Sequence, residues 1–296
     1  MGRWVKAIKD EKRLGEIMKT LEELLFKYPN IFQVIQDAAI SAGKDIMDIY
    51  AKEHVVTDWK ADNSPLTQAD LRAHDVISQI LCSNFPDVQL VSEEGEAAVE
   101  GTLDDVFFLV DPLDGTKEFI KRTGEFTVNI GLVVQGMTKI GAVYLPAQDT
   151  LYATTQHGTA VVISAASKGA DERKSKQVLV RSLPADGPTV VMSASHSSNE
   201  TRDYCALYNP ATTISAGSSL KFCKIAEGEA DYYPRLGRTM EWDTAAAHAV
   251  LKAAGGNVLT LKDAEELKYG KPGLDNSYFI AAADINNIIK SEIDWR

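Results

Sequence analysis

Fourteen residues, VFFLVDPLDGTKEF at 106–119, set two carboxylates and a hydroxyl directly behind an apolar run. Val106 to Val110 reads as a buried strand that stops at Asp111, and Asp114, Gly115 and Thr116 follow in an acidic turn. Two acids three positions apart repel each other and raise at least one pKa unless something positive sits between them. A divalent cation is the simplest such thing, and ligands that are all oxygen suit magnesium.

Other acids stand where elements are expected to begin or end. Asp70 falls in the first turn of a helix that Thr67 can cap and that reaches about Ser83. The pair Glu93-Glu94 follows a short strand at Val88 to Val91, and Asp243 opens a helix that stops at Gly255-Gly256. Singly, each has an ordinary reading. Asp70 and Asp243 can be helix N-terminal acids favoured by the macrodipole, Glu93-Glu94 a solvated loop, and Asp114-Gly115 a turn.

The elements that must carry these acids are legible as a layered pattern. Residues 1–28 form a charged amphipathic helix ending at Tyr28-Pro29, and a second helix over 31–52 repeats Ile31, Val34, Ile35, Ala38, Ala39, Ala42, Ile46 and Ile49. A loop at Asp62-Asn63-Ser64-Pro65 precedes the helix of Asp70. From Thr127 to Thr155 the sequence is a β-meander that turns at Gln135-Gly136. Residues 164–177, SAASKGADERKSKQ, are polar and irregular, a surface loop near a domain boundary. Beyond them TVVMSAS is a strand, and Ser218 to Glu227 is a helix ending at Gly228. The fold class is α/β: an α+β first half and an α/β second half, built from layered sheets and helices. The expected division is an N-terminal helical extension (1–30) and two domains, 31–163 and 164–296.

With 296 residues the chain can bury a large core. A net charge of −11 argues against a general nucleic-acid binder and requires local cations or metals wherever an anion is to be held. Cys82, Cys205 and Cys223 are widely spaced, without a CxxC, and read as reduced thiols in a cytosolic protein. The five histidines show no zinc-ligand spacing. No stretch approaches the ~20 apolar residues of a membrane span, and Lys6, Lys9, Asp10, Glu11, Lys12 and Arg13 break up anything like a signal peptide.

Taken together, Glu93-Glu94, Asp111-Pro112-Leu113-Asp114-Gly115-Thr116 and Trp242-Asp243 resemble the pattern of the magnesium-dependent, lithium-sensitive sugar phosphatases typified by inositol monophosphatase. Within that superfamily, KADNSPLTQAD, VDPLDGTKEFIKRTGEFTVNIG, GSSLKFCKIAEGEADYYPRLG and WDTAAAHAV are similar to the bacterial 3′(2′),5′-bisphosphate nucleotidases of sulfur assimilation. The resemblance covers residues 31–283. It implies the sugar-phosphatase fold, a layered α-β-α-β-α sandwich whose first domain binds metal and whose second binds nucleotide.

It also implies that Glu93, Asp111, Asp114, the Leu113 carbonyl and Asp243 hold two or three Mg²⁺ ions. Asp70 and Thr116 match the carboxylate–hydroxyl pair that orients the attacking water. Pro112 removes a donor that would face the metals, and Gly115 lets the turn approach the phosphate. On the substrate side the resemblance carries Gly217, Ser218 and Ser219, whose backbone N–H groups open a helix where a phosphate can sit. Lys221 and Arg235 match the holders of the 5′-phosphate, and His196 matches a nucleotide contact. Glu93, Leu113, Asp114, Gly115, Thr116 and Asp243 border the substrate as well as the metals. Arg238 and Lys117 are further cations, whereas Phe222 and Cys223 read as packing residues.

The implied reaction is hydrolysis of adenosine 3′,5′-bisphosphate to AMP and phosphate, with 3′-phosphoadenylyl sulfate as a second substrate. The partner is thus a small nucleotide and no nucleic acid. The implied location is the cytoplasm or the cytoplasmic face of the inner membrane.

Rival readings fit less of the chain. A haloacid dehalogenase phosphatase needs D-x-D, and here two residues separate Asp111 from Asp114. An EF-hand starting at Asp111 needs Gly and Glu where Thr116 and Arg122 stand. An inositol or sugar monophosphatase of the same superfamily leaves GSSLKFC and PRLG unexplained. A catalytically silent, metal-binding member leaves the Asp70/Thr116 pair without a purpose.

Overall fold

Apolar residues that alternate along a strand need a packed layer on each side of the sheet. In the computed structural model, which describes residues 2–52, 57–59, 65–95, 103–193 and 198–289 (2–11 and 57–59 by backbone alone), those layers are present. The first part of the chain runs α1 (Gly2–Lys27), α2 (Ile31–Tyr50), β1 (Thr57–Trp59), β2 (Pro65–Thr67), α3 (Gln68–Asn84), β3 (Gln89–Ser92), β4 (Val106–Asp114) and α4 (Thr116–Ile120). Strands β5 (Thr127–Val134), β6 (Met137–Leu145), β7 (Thr150–Thr154), β8 (Ala160–Ser164) and β9 (Lys174–Val178) follow. The remainder is β10 (Thr189–Ser193), α5 (Asn199–Ala206), β11 (Thr212–Ala216), α6 (Leu220–Ala226), β12 (Tyr232–Arg235), α7 (Ala245–Ala253), β13 (Asn257–Thr260) and β14 (Phe279–Ala282).

Strands β3 to β9 form one sheet in sequence order, with β3 and β4 parallel and every later pair antiparallel. A second sheet has the order β11-β10-β12-β14-β13, and β1 pairs with β2 separately. The alternation of side chains then divides the core. Phe108 and Val110 of β4 face α2 and α3, together with Ile130, Leu132 and Ala142. Phe107 and Leu109 face the opposite way, onto α6, α7 and the inner face of the second sheet at Val191, Tyr233, Phe279 and Ala281. Val190, Tyr232, Ile280 and Ala282 point outward to Tyr204 and Cys205 of α5. Helix, sheet, helix, sheet and helix therefore stack as an α-β-α-β-α sandwich.

The middle layer lies close to the first sheet because two glycines permit it. A Cβ on Gly131 would come within 2.8 Å of the Ala246 nitrogen, and one on Gly141 within 2.1 Å of the Ala246 oxygen. Helix α7 thus rests on the backbone of β5 and β6. Helix α1 is a packing helix, with Ile17 buried and Leu24, Leu25 and Tyr28 against the α2–α3 core. Lys27 and the Tyr28 hydroxyl both reach Asp87.

Several expected boundaries move. Strand β4 does not stop at Asp111 but continues to Asp114, with a shift of register against β5 between those two residues. Residues 164–177 are not all loop, because Lys174–Val178 pairs with β8 as the last strand of the first sheet. The chain therefore changes sheet between Val178 and Thr189. KSKQV is exposed at four of five positions and so lacks the apolar alternation that marks a strand; lysines are a usual way to blunt a sheet edge. The two later helices begin at Leu220 and Ala245, and Asp243 ends a short 3₁₀ turn (Glu241–Asp243) ahead of α7. His196 and the loop residues Asp62, Asn63 and Ser64 lie outside the described residues.

Candidate active site

The register shift in β4 is what aims its acids. Asp111 stands opposite Asn129 and Asp114 opposite Thr127, with Pro112-Leu113 as the irregular pair between them. The Asp111 Oδ1 accepts the Leu113 N–H at 3.0 Å, which tightens that step. Gly115 then adopts φ 92°, a left-handed conformation in which a side chain would also press to 3.1 Å from the Glu125 oxygen. The chain turns there into α4, with Thr116 as its first residue.

Thr116 meets Asp70 across 46 residues of sequence. Its hydroxyl lies 3.2 Å from Asp70 Oδ1, with the Leu113 carbonyl at 3.3 Å as the competing acceptor. Asp70 is fixed from behind, since its Oδ2 accepts the Thr67 N–H at 2.8 Å and the Thr67 hydroxyl at 2.6 Å. Thr67 in turn accepts the Ala69 N–H, so a capping box at the start of α3 holds the carboxylate whose other oxygen serves Thr116.

Glu93 emerges from β3 beside β4, its N–H donated to the Val110 carbonyl at 3.0 Å. Asp243 is held by its own turn, Oδ2 accepting the Met240 N–H at 2.8 Å. A short ladder ties this turn to the first sheet. Asn129 donates to the Ser219 hydroxyl at 3.0 Å, and that hydroxyl donates to the Asp243 carbonyl at 2.8 Å.

These groups converge on a cavity of about 260 Å³. Glu93, Asp111, Asp114 and Asp243 line it, as do Leu113, Gly115 and Thr116. Lys221 and Arg235 line it as well, with Gly217, Ser218, Phe222, Tyr233 and Phe279. Burial pushes the Asp111 carboxyl well above the usual carboxylate range, and the charges of Glu93, Asp114 and Asp243 push it further. Asp243 is raised in the same way, by burial and then by Asp114 and Glu93. Asp114 is raised to about 6 by burial, against the pull of Lys221. Burial lowers Lys221 to about 8, opposed by Asp114 and reinforced by Arg235. Asp114 and Asp243 keep some exposure to the cavity, yet the protein surrounds them closely enough to withhold most of their hydration.

Among the described residues no three acidic, imidazole or thiol side chains already stand as a metal cage. It is the mutual repulsion within an all-oxygen cluster, offset only in part by Lys221 and Arg235, that fits a hard cation. The cationic wall is differently prepared. Lys221 Nζ donates to the Ser218 carbonyl and lies 5.2 Å from the centre of the Tyr233 ring. The Arg235 Nη2 donates to the Arg238 carbonyl at 3.1 Å, while its buried Nε has no partner among the described residues.

Two expected substrate contacts have protein partners in this structure. Ser219 is buried at 1% exposure, does not line the cavity and serves as a strut between Asn129 and Asp243. The Gly217 N–H is not open to a phosphate, because Glu125 Oε2 accepts it at 2.9 Å. A side chain at 217 would sit 2.7 Å from the Glu125 oxygen, which accounts for the glycine. Sequence reading overlooked Glu118, Tyr233, Phe279, Thr239 and Thr244 in the lining. Glu118 directly follows Thr116-Lys117 and was legible from the turn. Thr239, Thr244 and Tyr233 also stand within two residues of Arg238, Asp243 and Arg235, whereas Phe279 lies on a strand with no acid or base beside it.

Residues 28–291 match the model of the inositol monophosphatase family. The 3′(2′),5′-bisphosphate nucleotidase CysQ of Escherichia coli (strain K12) is 46% identical over 222 residues, covering 74% of this chain and 86% of that protein. The crystal structure of CysQ from Bacteroides thetaiotaomicron is 40% identical, with a TM-score of 0.75 over 88% of this chain and 99% of that one. An inositol monophosphatase from Anabaena shares the fold at 21% identity, with a TM-score of 0.67 over 88% and 92% of the two chains.

Proposed function

The chain belongs to the inositol monophosphatase family, and on that premise we propose that it is a 3′(2′),5′-bisphosphate nucleotidase, hydrolysing adenosine 3′,5′-bisphosphate to AMP and phosphate. One observation carries the substrate assignment: a single cavity is lined both by four acids and by Lys221 with Arg235. Such a cavity has two separate means of handling negative charge, as a ligand with two phosphates requires. An inositol or sugar monophosphate would use only one of them. 3′-Phosphoadenylyl sulfate, which keeps both anionic ends, is a second substrate on this reading.

Glu93, Asp111, the Leu113 carbonyl, Asp114 and Asp243 would hold magnesium, two or three ions in all. When bound, the ions neutralise the acids, draw charge from the phosphoryl and leaving oxygens, and make an attacking water more acidic. Thr116 donates its hydroxyl proton to Asp70, which leaves the Thr116 oxygen to accept a proton from that water and fix its direction of attack. The capping box keeps Asp70 from rotating away. Lys221 and the unpartnered Nε of Arg235 take the 5′-phosphate and reverse the local sign of an acidic protein. Displacement is in line, with no covalent enzyme intermediate. We assign Glu93, Asp111, Leu113 and Asp114 to a first domain, and Asp243 with the phosphate-holding cations to a second. Among the described residues no helix is long and apolar enough to cross a membrane. From the likeness to the bacterial nucleotidases we place the reaction in the cytoplasm or at the cytoplasmic face of the inner membrane.

The deciding experiment measures phosphate release from adenosine 3′,5′-bisphosphate, AMP, inositol 1-phosphate and fructose 1,6-bisphosphate, with Mg²⁺ and with chelator. Turnover should be Mg²⁺-dependent and fastest on the bisphosphate nucleotide. Equal or faster turnover of inositol 1-phosphate would sink the assignment. In Lys221→Ala, KM for the nucleotide should rise about tenfold or more, as for loss of a charge-assisted hydrogen bond of roughly 1.5–3 kcal/mol. An equal loss on inositol 1-phosphate would mean that Lys221 does not read the second phosphate.

A further inference from the structure

A loop far from the metal-ligand motifs grips the turn that carries Asp243. Glu241, two residues ahead of Asp243, is fully buried. Its carboxylate accepts the N–H groups of Gly270 and Lys271, the latter at 3.0 Å, together with the Lys271 ammonium. Five residues on, the Asn276 side-chain amide lies 2.7 Å from the Met240 carbonyl and 3.1 Å from the Thr244 hydroxyl, and its backbone N–H donates to the Thr239 carbonyl at 2.9 Å. Met240 is the residue whose N–H holds Asp243 Oδ2. Between these grips, Asp275 pairs with Arg238 at 2.7 Å, and the Arg238 carbonyl is the acceptor for Arg235. The loop is itself pinned to the first sheet, where the Tyr269 N–H donates to the Gly136 carbonyl at 3.0 Å.

We propose that residues 269–276 are a strap that sets Asp243 and Arg235 in register with each other, and that Glu241 and Asn276 are positioning residues for the reaction. Neither side chain lines the cavity. A full negative charge buried at Glu241 is costly unless its donors are fixed, and here two backbone N–H groups and an ammonium fix it. Such an anchor stops the 3₁₀ turn from sliding, so Asp243 meets a cation without first having to be ordered. The proposal rests on the reading of Asp243 as a metal ligand.

The test uses the full chain in two variants, Glu241→Gln, which keeps the shape but loses the charge facing Lys271, and Asn276→Ala, which keeps that ion pair if the first variant misfolds. Metal-free protein is titrated with Mn²⁺ alone, and free ion is followed by electron paramagnetic resonance. Folded variants should bind Mn²⁺ about tenfold more weakly, the usual penalty for losing a group that orients a ligand. Raised Mg²⁺ should also return kcat toward the wild-type value. Variants with a lowered melting temperature but wild-type Mn²⁺ affinity and Mg²⁺ dependence would overturn the strap and leave Glu241 and Asn276 as stabilising residues only. Because the titration contains no nucleotide, its outcome is independent of whether the wild type hydrolyses adenosine 3′,5′-bisphosphate.

Discussion

Asp111 is a carboxylate at 2% exposure that faces the charges of Glu93, Asp114 and Asp243. Its burial raises the energy of the metal-free fold whenever it is ionised, so a residue proposed to bind the cation is also a source of instability without it. Asp111→Asn keeps the shape and removes the charge. Turnover should be lost because a ligand is lost, while the melting temperature in chelator should rise. A shift of one pKa unit is about 1.4 kcal/mol, and a kilocalorie moves the melting point of a domain of ~150–250 residues by roughly 2–4 °C. Calorimetry in chelator that shows a lowered melting temperature, or near-normal turnover with Mg²⁺, would contradict the assignment. At this scale the sequence was most legible where chemistry is local. The spacing of Asp111 and Asp114 is visible in four residues, and the Thr67/Asp70 cap in another four. Glu125, Ser219 and Glu241 were not legible. Each is defined by a partner that sequence distance hides: Gly217 is 92 residues from Glu125, and Asn129 is 90 from Ser219.

The elements matter because two of them deliver the site jointly. Strand β4 brings Asp111 and Asp114, while the turn before α7 brings Asp243, and the distance between them depends on how closely α7 approaches β5 and β6. Gly131 and Gly141 set that distance, and Thr138 reinforces it by donating to the Ala245 carbonyl at 2.7 Å. Gly141→Ala forces a methyl against the Ala246 backbone, which cannot swing aside as a side chain could. Overpacking of this kind costs about 1–3 kcal/mol or more. Helix α7 should shift, with a fall in melting temperature and, in the folded protein, weaker Mg²⁺ activation. Ser175→Ala on the exposed edge strand β9 should change neither quantity. A Gly141→Ala protein that melts and turns over like the wild type would mean that the approach of α7 is not what places Asp243. Long periodic elements such as α2 and α3, and the meander β5–β7, were readable from pattern alone. The short strands β12 to β14 were not, because four residues largely buried on both faces give no period to detect. The role of the two glycines was equally hidden, since nothing in a strand's own sequence says that a helix rests on it.

For the whole molecule, the acid cluster couples folding to protons and, on the proposed function, to metal, and the sign of that coupling follows from the direction of each shift. Asp114 has a folded pKa of about 6 against an ordinary 3.8, and Asp111 and Asp243 are raised as well. The folded chain therefore holds more protons than the unfolded one at these groups, and their contribution to stability declines as pH rises. It is fully present below the unfolded value, and for Asp114 it is lost as pH climbs from about 4 through about 6. His248 works in the opposite direction. Buried against Tyr269 and Asn257, its pKa is lowered to about 4, so its contribution is present above the ordinary value of 6.5 and is lost as pH falls. A single melting curve against pH mixes the two signs. The difference between melting temperatures with Mg²⁺ and with chelator separates them, because His248 contributes equally to both and the cation replaces protons only at the acids. That difference should be small near pH 5 and grow through about pH 7, as deprotonated carboxylates become available to the ion. A Mg²⁺ increment that stays constant across this range, or that shrinks as pH rises, would show that the raised carboxylates are not the groups that take up the metal.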